Sequence, residues 1–246
     1  MKISQRANLM TAPQYKGIPI NAMEGCHEKV SQLVVDNVAN KRDLILDIGA
    51  GNGALSKRLI DLGYSVLPFE LDTSEWMLDS VECIEADIDA ENIFEYLSEG
   101  QKVGAICLVE VIEHLENPRA MISKLVDIAS KFQCPIIITT PNMLDTFSCL
   151  TMFKRGILNW FSPTYYQTTG HISILPYWLI NKHFEYFGVD DVTWSFVAPH
   201  KYKSLFPSML YWFFSMVRKI ISKDDLTDLY ADGQCAICLV KVKDKE

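Results

Sequence analysis

Two stretches of the chain bring together residue types that do chemistry. In the first, Leu44-Ile-Leu-Asp-Ile-Gly-Ala-Gly-Asn-Gly53, an apolar run containing Asp47 is followed by the alternating glycines Gly49, Gly51 and Gly53. Glycine lets the backbone turn tightly there and lets a ligand approach where a Cβ would collide. The helical spacing of Leu55, Leu59, Ile60 and Leu62 comes next, so the glycines occupy a strand-to-helix turn and read as a nucleotide cradle. Glu70 closes a second strand-like run about 20 residues on, where a carboxylate accepts hydrogen bonds from two ribose hydroxyls. Asp72 is also acidic, but its place in Asp72-Thr-Ser-Glu75 suits a helix cap as well, and Glu70 is preferred.

The second stretch is Glu110-Val-Ile-Glu-His114. If a helical turn begins at Glu110, then Glu110, Glu113 and His114 fall at i, i+3 and i+4 on one face. Two carboxylates and an imidazole on one face suit a divalent cation such as Mg²⁺. A simpler alternative has Glu110 near the cofactor and His114 packed or capping.

The elements that position these residues alternate in type. Helical spacing covers Glu24–Asn40, Ala54–Leu62, Ser74–Asp79, Ala90–Ser98 and Pro118–Lys131. Strand-like runs cover Asp43–Ile48, Ser65–Glu70, Val81–Ala86, Val103–Val109 and Pro135–Thr140. That alternation predicts an α/β fold with a doubly wound sheet and helices on both faces. Residues 1–22 read as an irregular N-terminal arm or lid, and 23–246 as one domain. Within it, 142–175 is an aromatic, weakly periodic cover on the acceptor side, either walling a pocket or closing over the sheet. Leu175–Phe187 reads as a helix, Asp191–Val197 and Gln234–Val242 as strands, and 199–233 as an apolar insertion before the last strand.

The insertion contains Leu205–Val217 followed by Arg218 and Lys219, too short to span a bilayer, which needs about 20 residues. Residues 205–223 fit an interfacial helix in peripheral membrane contact, or a helix packed on the core or in a dimer seam. The net charge of -8 argues against a nucleic-acid partner, which calls for a basic surface. Seven scattered cysteines and an N-terminus without an apolar leader point to a reducing, cytoplasmic setting. Cys235-x-x-Cys238 looks like half a zinc site, yet it lies in a strand-like run where positions three apart face opposite ways.

Gly49-x-Gly51-x-x-Ala54 also satisfies the loose dinucleotide fingerprint, so the glycines alone do not exclude NAD. The later strand ends decide. Asp47 with its glycines, Glu70, Glu85-Ala-Asp87-Ile88 and Val109-Glu110 follow in order at successive strand ends, and together they resemble the class I S-adenosylmethionine-dependent methyltransferases over about residues 26–198. The resemblance implies a seven-stranded, Rossmann-like sheet with six parallel strands and one antiparallel. It implies that Asp47, Gly49, Gly51, Gly53 and Glu110 border the methionine part of S-adenosyl-L-methionine, that Glu70 holds the ribose, and that Asp87 and Ile88 flank the adenine.

Glu-Val-Ile-Glu-His, then Thr139-Thr-Pro-Asn142, then His171 further resembles the ubiquinone-pathway O-methyltransferases and the small-RNA 3′-terminal 2′-O-methyltransferases. There, Glu110, Glu113, His114 and His171 would be the metal ligands. Without a metal, His114 or His171 would serve as general base. The segment Thr169–Pro176 departs from the usual pattern, with Leu175 where a hydroxyl residue precedes the proline, and Ser173 is expected to supply part of the missing helix cap. The implied activity is O-methylation of a small-molecule, glycan or lipid-linked acceptor. RNA terminal 2′-O-methylation and a non-catalytic S-adenosylmethionine-binding module are the alternatives.

Overall fold

The computed structural model describes residues 13–198 and 233–242, with 209, 212–214 and 216–217 between them. Its centre is a seven-stranded sheet. The strands are β3 (Leu44–Ile48), β4 (Ser65–Glu70), β5 (Ile84–Glu85), β6 (Val103–Val109), β7 (Ile136–Pro141), β8 (Val192–Val197) and β9 (Cys235–Val240). They lie in the order β5-β4-β3-β6-β7-β9-β8, and β9 runs antiparallel between β7 and β8. The other five neighbouring strands pair in parallel. Six strands therefore share one direction and the seventh opposes them, as the resemblance implied.

Continuous apolar runs form the central strands because both faces are covered. Leu46 and Ile48 of β3 face one apolar cluster with Ile106, Leu108 and Ile138, while Ile45 faces a second with Ala105, Cys107 and Ile137. Helix α3 (Pro118–Phe132) lies on the first face and buries Met121, Ile122, Leu125 and Ile128. Its start carries the expected signals: Pro118 opens it, and the Asn117 side chain accepts from the Ala120 amide. Helices α1 (Cys26–Asn37) and α2 (Ala54–Asp61) cover the second face. Cys235 and Cys238 point to opposite faces of β9, one into each cluster, so they do not form half of a shared site.

Several boundaries differ from the sequence reading. The arm contains a short hairpin, β1 (Gln14–Tyr15) and β2 (Ile18–Pro19). It is clasped to α2, where Asp61 accepts from Tyr15 at 3.0 Å and pairs with Lys16 at 2.8 Å. The Arg58 guanidinium covers the Tyr15 ring at 4.2 Å. The helices expected at Ser74–Asp79 and Ala90–Ser98 are only short 3₁₀ turns, Thr73–Glu75 and Ile93–Tyr96. Asp72 does cap the first of these, accepting from the Ser74 amide at 2.9 Å. Two helices, α4 (Thr146–Arg155) and α5 (Pro163–Thr168), stand within the aromatic cover, and α6 (Tyr177–Tyr186) follows it.

Most of 199–233, including most of the apolar stretch 205–223, lies outside the described residues. Its described positions are helical, and Met209, Trp212 and Phe213 are exposed. Among the described residues no helix is long and apolar enough to cross a membrane.

The irregular loop after β5 is held from a distance. Lys124 of α3 donates to the carbonyls of Ile88 (2.9 Å), Asp89 (2.9 Å) and Glu91 (3.0 Å). Lys124→Met keeps the apolar stem and leaves three carbonyls without this donor. Loss of such a charged donor is expected to cost about 1–3 kcal/mol, or several degrees in melting temperature. An unchanged thermal midpoint would show that Lys124 does not hold the loop.

Candidate active site

The glycine turn is built by contact with its neighbours. The amides of Gly49 and Ala50 both donate to the Phe69 carbonyl, at 2.8 and 2.9 Å, tying the turn to β4. Gly49 sits at φ +76°, and a Cβ there would fall 2.2 Å from Cγ2 of Val111, so only glycine fits. Gly51 also has positive φ, and its amide donates to Glu70 at 2.6 Å. Gly53, again at positive φ, precedes α2, and a Cβ on it would press on Trp76 and Leu78 at 3.0 Å.

Asn52 links this turn to two other segments. It accepts from the Asn21 side chain at 2.8 Å and donates to the Glu75 carbonyl at 2.8 Å. A cavity opens beside the turn, and Asn21, His27, Asp47, Gly49, Gly51 and Val109 are among its lining residues. Asp47 is buried and accepts from Ser56 at 2.6 Å. Burial pushes its carboxyl up to about 6; the Ser56 hydrogen bond opposes the shift, and the Glu70 carboxylate adds to it.

Glu70, half-buried at the end of β4, accepts from the amides of Gly51 and Leu71. Asp87 and Ile88 stand on the same sheet edge but outside the cavity lining. Asp87 is exposed and accepts from the Asp89 amide, while Ile88 packs on the core. His27, which has no partner at motif spacing in the sequence, also lines the cavity, as does Asn21.

The second stretch departs from the helical expectation. The turn begins at Ile112, as a 3₁₀ helix over Ile112–His114, and Glu110 stands outside it at φ 54°. Thr139 explains the kink. Its hydroxyl accepts from the Glu110 amide at 2.9 Å and donates to the Glu110 carboxylate at 2.8 Å, while the Cys235 thiol donates to the same oxygen at 3.3 Å. Burial raises the pKa of Glu110, and the Thr139 and Cys235 contacts oppose that shift. Glu110 thereby groups with the buried thiols of Cys26 and Cys235, a set of ligand atoms within 4.8 Å, and is separated from Glu113 and His114.

Glu113, His114 and His171 do come together, with ligand atoms within 4.8 Å of one another. The segment carrying His171 is docked by the amides of Ile172 and Ser173, which both donate to the Glu113 carbonyl. His114 Nδ1 lies 3.1 Å from the Gly170 carbonyl, and His171 Nδ1 lies 2.8 Å from the Trp160 carbonyl. A carbonyl only accepts, so each Nδ1 carries the proton and each neutral ring keeps a lone pair at Nε2. Burial lowers both imidazole pKa values; for His114 the neighbouring His171 adds to this, and the backbone contacts oppose it.

Glu113 is fully buried, and neither carboxylate oxygen has a hydrogen-bond partner among the described residues. Burial first, and the Glu110 carboxylate second, raise its pKa well above the usual range. The nearby Thr140 hydroxyl opposes the rise without reaching hydrogen-bond geometry, since it too lacks a partner. His114 Nε2 lies 4.0 Å from the Glu113 carboxylate. An orphaned buried carboxylate beside two imidazole lone pairs suits a cation's coordination shell.

The aromatic cover divides into two parts. Tyr165 stacks on His171 at 5.9 Å and Phe161 lies 5.6 Å from it, with Trp160 against Tyr165. Phe153 and Tyr166 point to solvent. Ser173 does not cap α6; it donates to the Leu115 carbonyl at 2.7 Å, and the helix has no side-chain cap.

Solved structures share this architecture. One is an S-adenosylmethionine-dependent methyltransferase from Archaeoglobus fulgidus, at TM-score 0.57 and 15% identity, covering 88% of this chain and 94% of that one. The putative methyltransferase bound to the Trm112 activator of Haloferax volcanii matches at TM-score 0.56 and 10% identity, over 91% and 92% of the two chains. The plantazolicin methyltransferase BpumL, solved with S-adenosylhomocysteine, matches at 0.52 and 14%, over 89% and 83%. The fold is that of the S-adenosylmethionine-dependent methyltransferases. No family model matches the sequence. No curated protein matches it either.

In this methyltransferase fold, the acid at the end of the first central strand is costly to bury. Asp47 keeps its proton up to about pH 6 in the folded chain, against 3.8 as its ordinary value. Between those values the folded state holds more protons than the unfolded, so stability falls as pH rises through the window. Asp47→Asn removes the charge and is expected to be more stable than the parent by about 2–3 kcal/mol at pH 8, with the difference vanishing below about pH 4. Thermal unfolding across pH reads this directly; equal midpoints at pH 8 would refute the desolvation account.

Proposed function

We propose that the chain transfers a methyl group from S-adenosyl-L-methionine to an oxygen of a small-molecule, glycan or lipid-linked acceptor. The observation that carries this reading is the adjacency of two half-sites on one sheet edge. The glycine cradle of β3 presses on Val111, and the turn that carries Glu113 and His114, with His171 beside them, follows Val111 in the chain. The donor's fit rests on chemistry within the cavity. Asp47 is a desolvated acid that an ammonium group would neutralise, and Gly49 and Gly51 line the cavity beside it. Glu70 retains lone pairs for ribose hydroxyls.

S-adenosylmethionine, when bound, supplies a methyl group on a positively charged sulfur. The chain's own residues must align the acceptor oxygen with that methyl and take its proton. Without a cation, His114 or His171, neutral and with its Nε2 lone pair unengaged, is suited to take it. Tyr165 and Phe161 present ring faces that exclude water and suit an apolar or flat acceptor. A divalent cation such as Mg²⁺ held by Glu113, His114 and His171 would supply a Lewis acid and orient paired oxygens. Glu110, turned toward Thr139 and Cys235, is left out of that set and serves the cofactor side.

Calorimetry with S-adenosylhomocysteine is expected to give micromolar binding, and binding of NAD in its place would overturn the reading. His114→Ala is expected to lower turnover by about 100-fold or more while changing S-adenosylhomocysteine affinity less than twofold. Equal loss of binding and turnover would move His114 to the cofactor side. Full activity in EDTA would remove the cation from the mechanism.

A further inference from the structure

A second set of ligand atoms lies at the end of β6, apart from the histidines. Cys26 opens α1, Cys235 opens β9, and Glu110 follows β6, so three segments far apart in sequence meet at one point. Cys235 Sγ lies 3.9 Å from Cys26 Sγ and 3.3 Å from Glu110 Oε1. All three ligand atoms fall within 4.8 Å of one another. Both thiols are fully buried, and Glu110 is half-buried.

These separations suit a tetrahedral thiolate centre. Two sulfurs each about 2.3 Å from a zinc ion stand about 3.8 Å apart at the tetrahedral angle, and a sulfur and a carboxylate oxygen stand about 3.5 Å apart. Glu110 is aimed at the set by its positive φ and by Thr139, which donates to the same Oε1 at 2.8 Å. The protein's own contacts at the sulfurs are weak: Cys26 donates to Thr139 Oγ1 at 3.6 Å, and Cys235 reaches the Ala236 carbonyl at 3.7 Å. Charge balance and softness select the ion. The thiols belong to an apolar cluster with Val30, Val109, Ile137 and Ile237, where an uncompensated charge is costly. Two thiolates cancel a divalent cation, and the Thr139 hydroxyl meets the remaining carboxylate charge. Thiolate sulfur favours Zn²⁺ over Mg²⁺ or Ca²⁺. Each thiol releases its proton to solvent as its sulfur binds the ion.

We propose that Cys26, Cys235 and Glu110 form a zinc site that ties the start of α1 and the start of β9 to the end of β6. Three protein ligands leave a fourth position open. Only Oε1 of Glu110 is used, which leaves Oε2 to the cofactor side. The site is separate from the Glu113–His114–His171 set, and it does not depend on the methyl-transfer reading.

Sulfur ligation distinguishes this site from the histidine set, which offers no sulfur. The full chain, reduced and stripped of metal by chelation, is titrated with Co²⁺ and then with Zn²⁺. One equivalent of Co²⁺ is expected to give the near-ultraviolet charge-transfer band of a cobalt thiolate, and Zn²⁺ to displace it. The band should persist in His171→Ala and in Cys238→Ala, whose sulfur faces the other side of β9. Cys26→Ser and Cys235→Ser are each expected to weaken the band and to lower Zn²⁺ affinity by more than about 100-fold. X-ray absorption on the zinc-loaded parent chain needs no variant, and should show both sulfurs at about 2.3 Å from the metal. Fewer than two sulfur neighbours would overturn the proposal. So would a band unchanged in both serine variants, or no charge-transfer band in the parent chain.

Discussion

The architecture of the site depends on one close approach, between Gly49 and Val111. Any other residue at 49 would place a Cβ 2.2 Å from a Val111 methyl, a separation that no packed side chain sustains. The turn leaving β3 is therefore pressed against the turn leaving β6. These strands are neighbours in the sheet, so contact between their exit turns is geometrically available, and the missing side chain makes it tight. The glycine cradle and the turn that carries Glu113 and His114 are thereby held side by side. A looser turn would separate them and leave each a partial site.

That edge also collects groups that the fold alone does not satisfy. Asp47 is buried with its carboxyl pushed up, and among the described residues the Glu113 carboxylate and His27 Nδ1 are buried without hydrogen-bond partners. Buried polar groups are normally paired, so the unpaired Glu113 and His27 and the desolvated Asp47 each cost stability. Their positions form a pattern. Two are acids, and one is an imidazole in the first turn of a helix. A ligand with the opposite pattern would be stabilised by groups whose desolvation has already occurred on folding. The cost is carried by the two apolar clusters on either side of the sheet, which make no use of the site.

Much of this was legible in the sequence where burial dictates residue type. Strands β3, β6 and β7 show as continuous apolar runs because they are covered on both faces, and the alternating glycines mark the one turn that needs them. The legibility ends where contacts between distant residues replace periodicity. The loop after β5 looks helical by spacing, yet Lys124 holds its carbonyls from another helix. Trp76 donates to the carbonyls of Leu78 and Val81, which fixes an extended segment where a helix was expected. Glu110 appeared to start a helix because i, i+3 and i+4 spacing assumes one; the Thr139 hydroxyl, 29 residues on, turns it away. His27 stands alone in sequence. Its place follows from topology: α1 leads directly into β3 and covers the sheet, so its N-terminus lies toward the sheet edge where the glycine turn is.

The segment 142–175 takes on a different character once the hydrogen bonds of the histidines are considered. Its carbonyls at Trp160 and Gly170 fix which nitrogen of His171 and His114 bears the proton, and therefore which one is free to accept another. Its rings at Phe161 and Tyr165 enclose His171. In the proposed methyl transfer, acceptor shape and proton acceptance would thus be set by the same backbone. A change that reshaped this wall for a different acceptor would also disturb the tautomers, unless the two carbonyl contacts were kept. The β3 side bears no such coupling, since the glycine turn is tied to β4 and Val111 and not to the wall. In the proposed methyl transfer, donor recognition would therefore stay constant while acceptor recognition varied, provided that the variation left the carbonyls of 160 and 170 in place.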